Sequence, residues 1–97
     1  MPTREVLARF WKDFDALTPG QQQAFIDAVA QFVEDLKRGQ GFREGLRVKG
    51  VRDHPGVFEM TWAPNGRATF EYGTSPYPGD VDIIWRRIGT HAILKRP

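Results

Sequence analysis

Apolar residues recur with helical spacing in the first half of the chain and with strand spacing in the second. From Val6 to Leu17 the apolar positions are Leu7, Phe10, Trp11, Phe14 and Leu17. Steps of three and four place them on one helical stripe. Glu5–Arg9 and Arg9–Asp13 are opposite charges four apart, as on an exposed helix face. Thr18-Pro19-Gly20-Gln21 then reads as a new helix start, with Thr18 as N-cap, Pro19 at the first helical position and Gln21 completing a capping box. The second stripe, Phe25, Val29, Phe32, Val33 and Leu36, runs to about Arg38, where Gly39 supplies a stop. These patterns predict helices over 5–17 and 19–38, joined as an antiparallel hairpin. Neither helix can bury its stripe alone, so both need a further layer.

Alternation of period two supplies that layer. Leu46–Val51, Val57–Trp62, Arg67–Tyr72 and Val81–Gly89 read as strands. Ala63-Pro64-Asn65-Gly66 marks a hairpin, and Gly73–Gly79, with two Pro and two Gly, marks a loop. Ile83 and Ile84 make the last strand too apolar for an edge. Leu46, Val48, Phe58, Met60, Trp62, Phe70 and Tyr72 should then face the helices. Arg47, Lys49, Glu59, Thr61, Arg67, Thr69 and Glu71 should face the other way, with Arg86 or Arg87 added by the last strand. The expected fold is α+β: a helical hairpin on one face of a mainly antiparallel sheet of three to four strands.

Composition narrows the chemistry. Ninety-seven residues make one domain, 1–97, too small for separate cofactor and substrate units. The absence of Cys excludes disulfides, thiolate metal sites and thiol nucleophiles. His54 and His91 show no ligand spacing with the carboxylates, so no metal and no cofactor are expected. No apolar run is long enough to span a membrane, and the N-terminus lacks an apolar signal core, so the expected location is the cytoplasm. The net charge is +2, but residues 1–39 carry five basic and six acidic side chains, against nine and six in 40–97. Seven of those nine are Arg, whose planar fork suits phosphate.

The polar sheet face is therefore a candidate groove for a phosphodiester. Its cations would hold phosphate and the charge that grows in the transition state. Glu59, Glu71 or His91 could move protons. The same residues also fit a solvated face with cross-strand Arg–Glu pairs. His91 alone fits a hydrogen-bonded loop residue better than a catalytic one. Gly39-Gln40-Gly41 and Gly50 precede no strand-to-helix turn and are not phosphate-loop glycines.

The order of elements, with Gly45-Leu46-Arg47-Val48-Lys49-Gly50, Gly56-Val57-Phe58-Glu59-Met60, Gly66-Arg67-Ala68-Thr69-Phe70-Glu71-Tyr72 and Ile84-Trp85-Arg86-Arg87-Ile88-Gly89-Thr90-His91, resembles the RelE/ParE superfamily of type II toxins. The likeness covers about residues 7–94. It implies a toxin with a cognate antitoxin as partner. In the RelE-like branch it implies a metal-independent endoribonuclease acting on ribosome-bound mRNA. Arg67 then matches the phosphate-stabilising Arg, His91 the C-terminal proton-transfer residue and Glu59 an acidic base. Arg47 and Lys49 match the basic strand, and Arg86 and Arg87 join them in binding substrate. In the ParE-like branch the resemblance implies a non-enzymatic inhibitor of DNA gyrase, which needs no His91. A diverged, inactive binding module is the third alternative. The family has a strand before its helical hairpin. Only Met1–Arg4 precede the helical pattern here, so that strand is expected to be shortened or lost. The resulting open edge could take a partner chain or a second copy, as a homodimer.

Overall fold

The computed structural model describes residues 2–97. Strand β1 (Thr3–Val6) is followed by helices α1 (Ala8–Asp15) and α2 (Pro19–Arg38), then by strands β2 (Lys49–Gly50), β3 (Phe58–Ala63), β4 (Gly66–Gly73) and β5 (Asp82–Thr90). Single 3-10 turns occupy Glu44–Leu46 and His91–Lys95. The sheet runs in the order β1-β5-β4-β3-β2, with β1 parallel to β5 and the other pairs antiparallel. The α+β reading therefore holds, but the sheet has five strands rather than three or four.

The first strand, expected to be shortened or lost, is present as a short strand of four residues. Thr3 to Val6 pair in register with Asp82 to Trp85. Two physical facts hid it: its pairing partner lies 79 residues away, and Thr-Arg-Glu-Val has no apolar alternation. Val6 and Glu5 fitted the helical period just as well, so the first helix was expected to start three residues too early. β5 consequently lies between β4 and β1, in keeping with its apolar character, and β1 fills the edge beside it as far as Trp85.

Helix α2 begins and ends as its sequence requires. The Gln21 amide donates to Thr18 Oγ1 (3.2 Å) and the Thr18 amide to Gln21 Oε1 (2.9 Å). Gly39 closes the helix in the left-handed region at φ 69°, which a residue without Cβ adopts at no steric cost. Asp35, nearly buried in the last turn, accepts from the backbone N–H and the guanidinium of Arg43, all at 2.9 Å. This pair ties the loop after α2 back to the helix.

Aromatic rings fill the core between the helices and the sheet. Phe10, Phe25 and Phe32 from the helices meet Phe70 and Trp85 from β4 and β5, with ring centroids 5.1–6.1 Å apart. Met60, Ala68 and Phe70 are fully buried, so the strand register is as expected. Tyr72 is an exception: it is 46% exposed, with its ring packed edge-on against Phe58 and Phe70. The expected strand over Leu46–Val51 is also cut short. Arg47 takes φ 47°, which ends the extended run and leaves only Lys49–Gly50 paired with β3. The β3–β4 turn is Pro64-Asn65 between the paired residues Ala63 and Gly66, and neither Asn65 nor Gly66 has positive φ.

Candidate active site

Cross-strand register assembles the candidate site. Lys49 lies opposite Glu59, Glu59 opposite Thr69, and Thr69 opposite Arg87, forming one row across four strands. Arg67 is two residues along β4 from Thr69, on the same face, opposite Gly89 of β5. This face is less open than its charge suggested. Glu59 is 6% exposed and Thr69 is completely buried. The final 3-10 turn packs against β5: a Cβ on Gly89 would lie 2.9 Å from Ile93 Cγ2.

Arg67 meets Glu59 beside the β3–β4 turn, and the backbone of His91 is bonded to the same turn. Arg67 Nε lies 3.8 Å from Glu59 Oε1, an ion pair without a hydrogen bond. Arg67 Nη1 donates to the carbonyls of Gly66 (2.9 Å), Pro64 (3.3 Å) and Ala63 (3.4 Å). The His91 amide donates to the Asn65 carbonyl (3.1 Å) and its side chain is exposed. Arg67 and His91 thus divide four consecutive turn carbonyls between them. The His91 turn is itself capped by Thr90 Oγ1, which accepts from the Ala92 amide (3.3 Å). Arg67 Nε is buried and has no hydrogen-bond partner.

The remaining expected substrate contacts divide into two groups. Arg47 and Lys49 are exposed, form no ion pair among the described residues, and line an open groove of about 680 Å³ with Phe42 and Val48. Arg86 and Arg87 were expected to alternate, one facing outward. Instead a bulge leaves Arg86 as the extra residue between the Thr69–Arg87 and Phe70–Trp85 pairs, so both lie on the polar face. Each is neutralised by a carboxylate. Arg86 pairs with Glu71 and donates to the Pro97 carbonyl (3.2 Å). Arg87 pairs with Asp13 on α1 and donates to the Arg96 carbonyl (3.2 Å). The hydrogen bonds to Asp13 hold the Arg87 guanidinium above its ordinary pKa.

A second carboxylate group lies farther along the same face. Asp82 is buried and accepts from Thr3 Oγ1 (2.7 Å). Hydrogen bonding to Asp82, then its charge, raises the pKa of Glu5, with burial and Glu71 adding to the effect. Among the described residues, no group of three or more His, Asp or Glu side chains is placed to hold a metal ion. Sequence reasoning missed the roles of Thr69, Asp13 and Asp82. Asp13 satisfied a local pairing with Arg9, so nothing local pointed to Arg87.

No protein-family model matches the chain, and no curated protein matches its sequence. Its fold does match solved structures. A chain of the E. coli DinJ–YafQ complex superposes with a TM-score of 0.66 at 14% identity, covering 97% of this chain and 98% of that one. The YoeB/ParE toxin from Agrobacterium tumefaciens gives 0.66 at 11% identity, over 92% and 98%. The RelB–RelE antitoxin–toxin complex from Methanococcus jannaschii gives 0.61 at 13% identity, over 94% of each chain. The protein therefore has the RelE-like toxin fold. Among the described residues, no helix is long and apolar enough to cross a membrane.

Proposed function

We propose that this protein is the toxin of a toxin–antitoxin pair and an endoribonuclease that cuts ribosome-bound mRNA by side-chain chemistry alone. The observation that supports this reading is the Arg67–Glu59 ion pair on a RelE-like sheet, beside the turn to which the His91 backbone is bonded. Glu59 takes the proton of the RNA 2′-hydroxyl, and the 2′-oxygen attacks the adjacent phosphorus. Arg67 holds the charge of the phosphorane. His91 gives a proton to the 5′-oxygen as the P–O5′ bond breaks, leaving a 2′,3′-cyclic phosphate and a 5′-hydroxyl. An acid and a base on opposite sides of the phosphate, with a fixed cation between them, are the minimum set for this transfer. Arg47 and Lys49, unpaired and exposed, hold flanking phosphates. Arg86 and Arg87 contribute only where RNA replaces their carboxylate partners.

The antitoxin belongs on the helical layer. Leu7, Trp11 and Ile26 are exposed, and Trp11 and Ile26 border an apolar groove of about 260 Å³ over Phe10, Phe14, Phe25 and Val29. Arg4 lines it, and Arg9 and Lys12 stand exposed on the same helix as Trp11, which suits an amphipathic segment with acidic flanks. The same apolar face supports a second reading, a ParE-like protein that acts by binding gyrase. Induction in cells separates the two. Protein synthesis stops before DNA replication if the nuclease reading is right; replication stops first if the gyrase reading is right. Unimpaired growth leaves an inactive binding module.

A further inference from the structure

Thr69 occupies the middle of the row from Lys49 to Arg87 and is completely buried, yet its hydroxyl has no hydrogen-bond partner among the described residues. A buried hydroxyl left unpaired opposes folding, and Val would fill the same space without that cost. The groups around it are specific. Glu59 faces it directly across β3 and β4, itself nearly buried. Residues directly opposite in an antiparallel pair have Cβ atoms only about 5 Å apart, within reach of a glutamate side chain. The other cross-strand neighbour, Arg87, is committed to Asp13 and the Arg96 carbonyl. Of its two cross-strand partners, Glu59 is therefore the one whose side chain can accept from the hydroxyl. Its carboxylate is held in place by an Arg67 contact of 3.8 Å, which is too long for a hydrogen bond.

We propose that Thr69 is a positioning residue for Glu59: its hydroxyl donates to one carboxylate oxygen when RNA is bound, and leaves the other oxygen aimed at the 2′-hydroxyl. The inference rests on Glu59 being the base. Hydrogen bonds among catalytic groups commonly close only in the substrate complex, so an unmade bond in the free protein is the expected state. Thr69 keeps its own proton throughout; the proton taken from the 2′-hydroxyl goes to the free oxygen of Glu59. Arg67 faces the same carboxylate from β4 and Lys49 is its neighbour on β2, but neither fixes its rotation by a hydrogen bond.

Two substitutions separate this role from packing, because they divide the side chain differently. Thr69→Val keeps the shape and removes the hydroxyl; Thr69→Ser keeps the hydroxyl and removes a methyl group. Single-turnover cleavage of mRNA in stalled ribosome complexes gives the rate at saturation and the half-saturating toxin concentration, and thermal unfolding gives stability. Thr69→Val is expected to lower the saturating rate by roughly 10- to 100-fold, with unchanged half-saturation and a melting temperature no lower than that of the parent. Thr69→Ser is expected to cleave at nearly the parent rate with a lower melting temperature. Where Thr69→Val does not fold, Thr69→Ala against Thr69→Ser makes the same comparison, since the two differ only in the hydroxyl. Parent-like cleavage by the Val or Ala variant overturns the role of Thr69 when Glu59→Gln is inactive. Parent-like cleavage by Glu59→Gln overturns the assignment of the base, and the role of Thr69 falls with it.

Discussion

Arg87 and Asp13 lock helix α1 to the edge of β5: Arg87 Nε and Nη2 donate to the two Asp13 oxygens at 2.7 and 3.1 Å. β1 covers β5 only as far as Trp85. Beyond it the Leu7 amide donates to the Trp85 carbonyl (3.0 Å), and Asp13 Oδ2 accepts from the Ile88 amide (3.3 Å). A side-chain carboxylate thus satisfies a strand amide where the neighbouring strand has ended. Asp13→Ala should cost about 2 kcal/mol, since it leaves a partly buried guanidinium and an amide without their charged acceptor. Urea unfolding measures it, and Asp13→Asn should lose less.

Phe32 joins both helical and sheet layers. It is 1% exposed, and its ring lies 4.7 Å from Phe42, 5.1 Å from Phe70 and 5.4 Å from Trp85. Phe32→Ala should cost roughly 3–5 kcal/mol, comparable with the whole stability of a small domain. A largely unfolded variant by circular dichroism is the expected outcome.

Helix α2 and the register of β3 and β4 were legible because their signals are local. Thr18-Pro19-Gly20-Gln21 caps the helix it precedes, and the alternation through Met60 and Phe70 sets which face is buried. β1 was not legible, because four residues gain their structure from a strand 79 positions away. The Arg86 bulge was not legible either: one extra residue ends period-two alternation without leaving a mark in composition. For the site, the sequence placed Glu59 and Arg67 on one face. It did not show that Thr69 beside them is sealed from solvent, since period-two alternation assigns a face and not its burial.

Asp35 should govern part of the acid response. The guanidinium of Arg43, followed by its backbone N–H, holds the Asp35 carboxyl at about 2, below its ordinary 3.8. A lowered folded-state value contributes stability that is present above the ordinary value and disappears as pH falls through the lowered one. Asp35→Asn should therefore be less stable than the parent at pH above 3.8, with the gap closing as pH drops through about 2. Denaturant titrations across that range test the sign.

The most direct test of the account is cleavage of mRNA on purified ribosomes, mapped by primer extension. The parent protein is expected to cut ribosome-bound mRNA and leave a 2′,3′-cyclic phosphate. Arg67→Ala should lose roughly 100- to 1000-fold in rate, the usual consequence of removing one donor to transition-state charge, while circular dichroism shows an intact fold. His91→Ala should also be strongly impaired. Intact mRNA with the parent protein, or cleavage untouched by both substitutions in folded variants, would contradict the account.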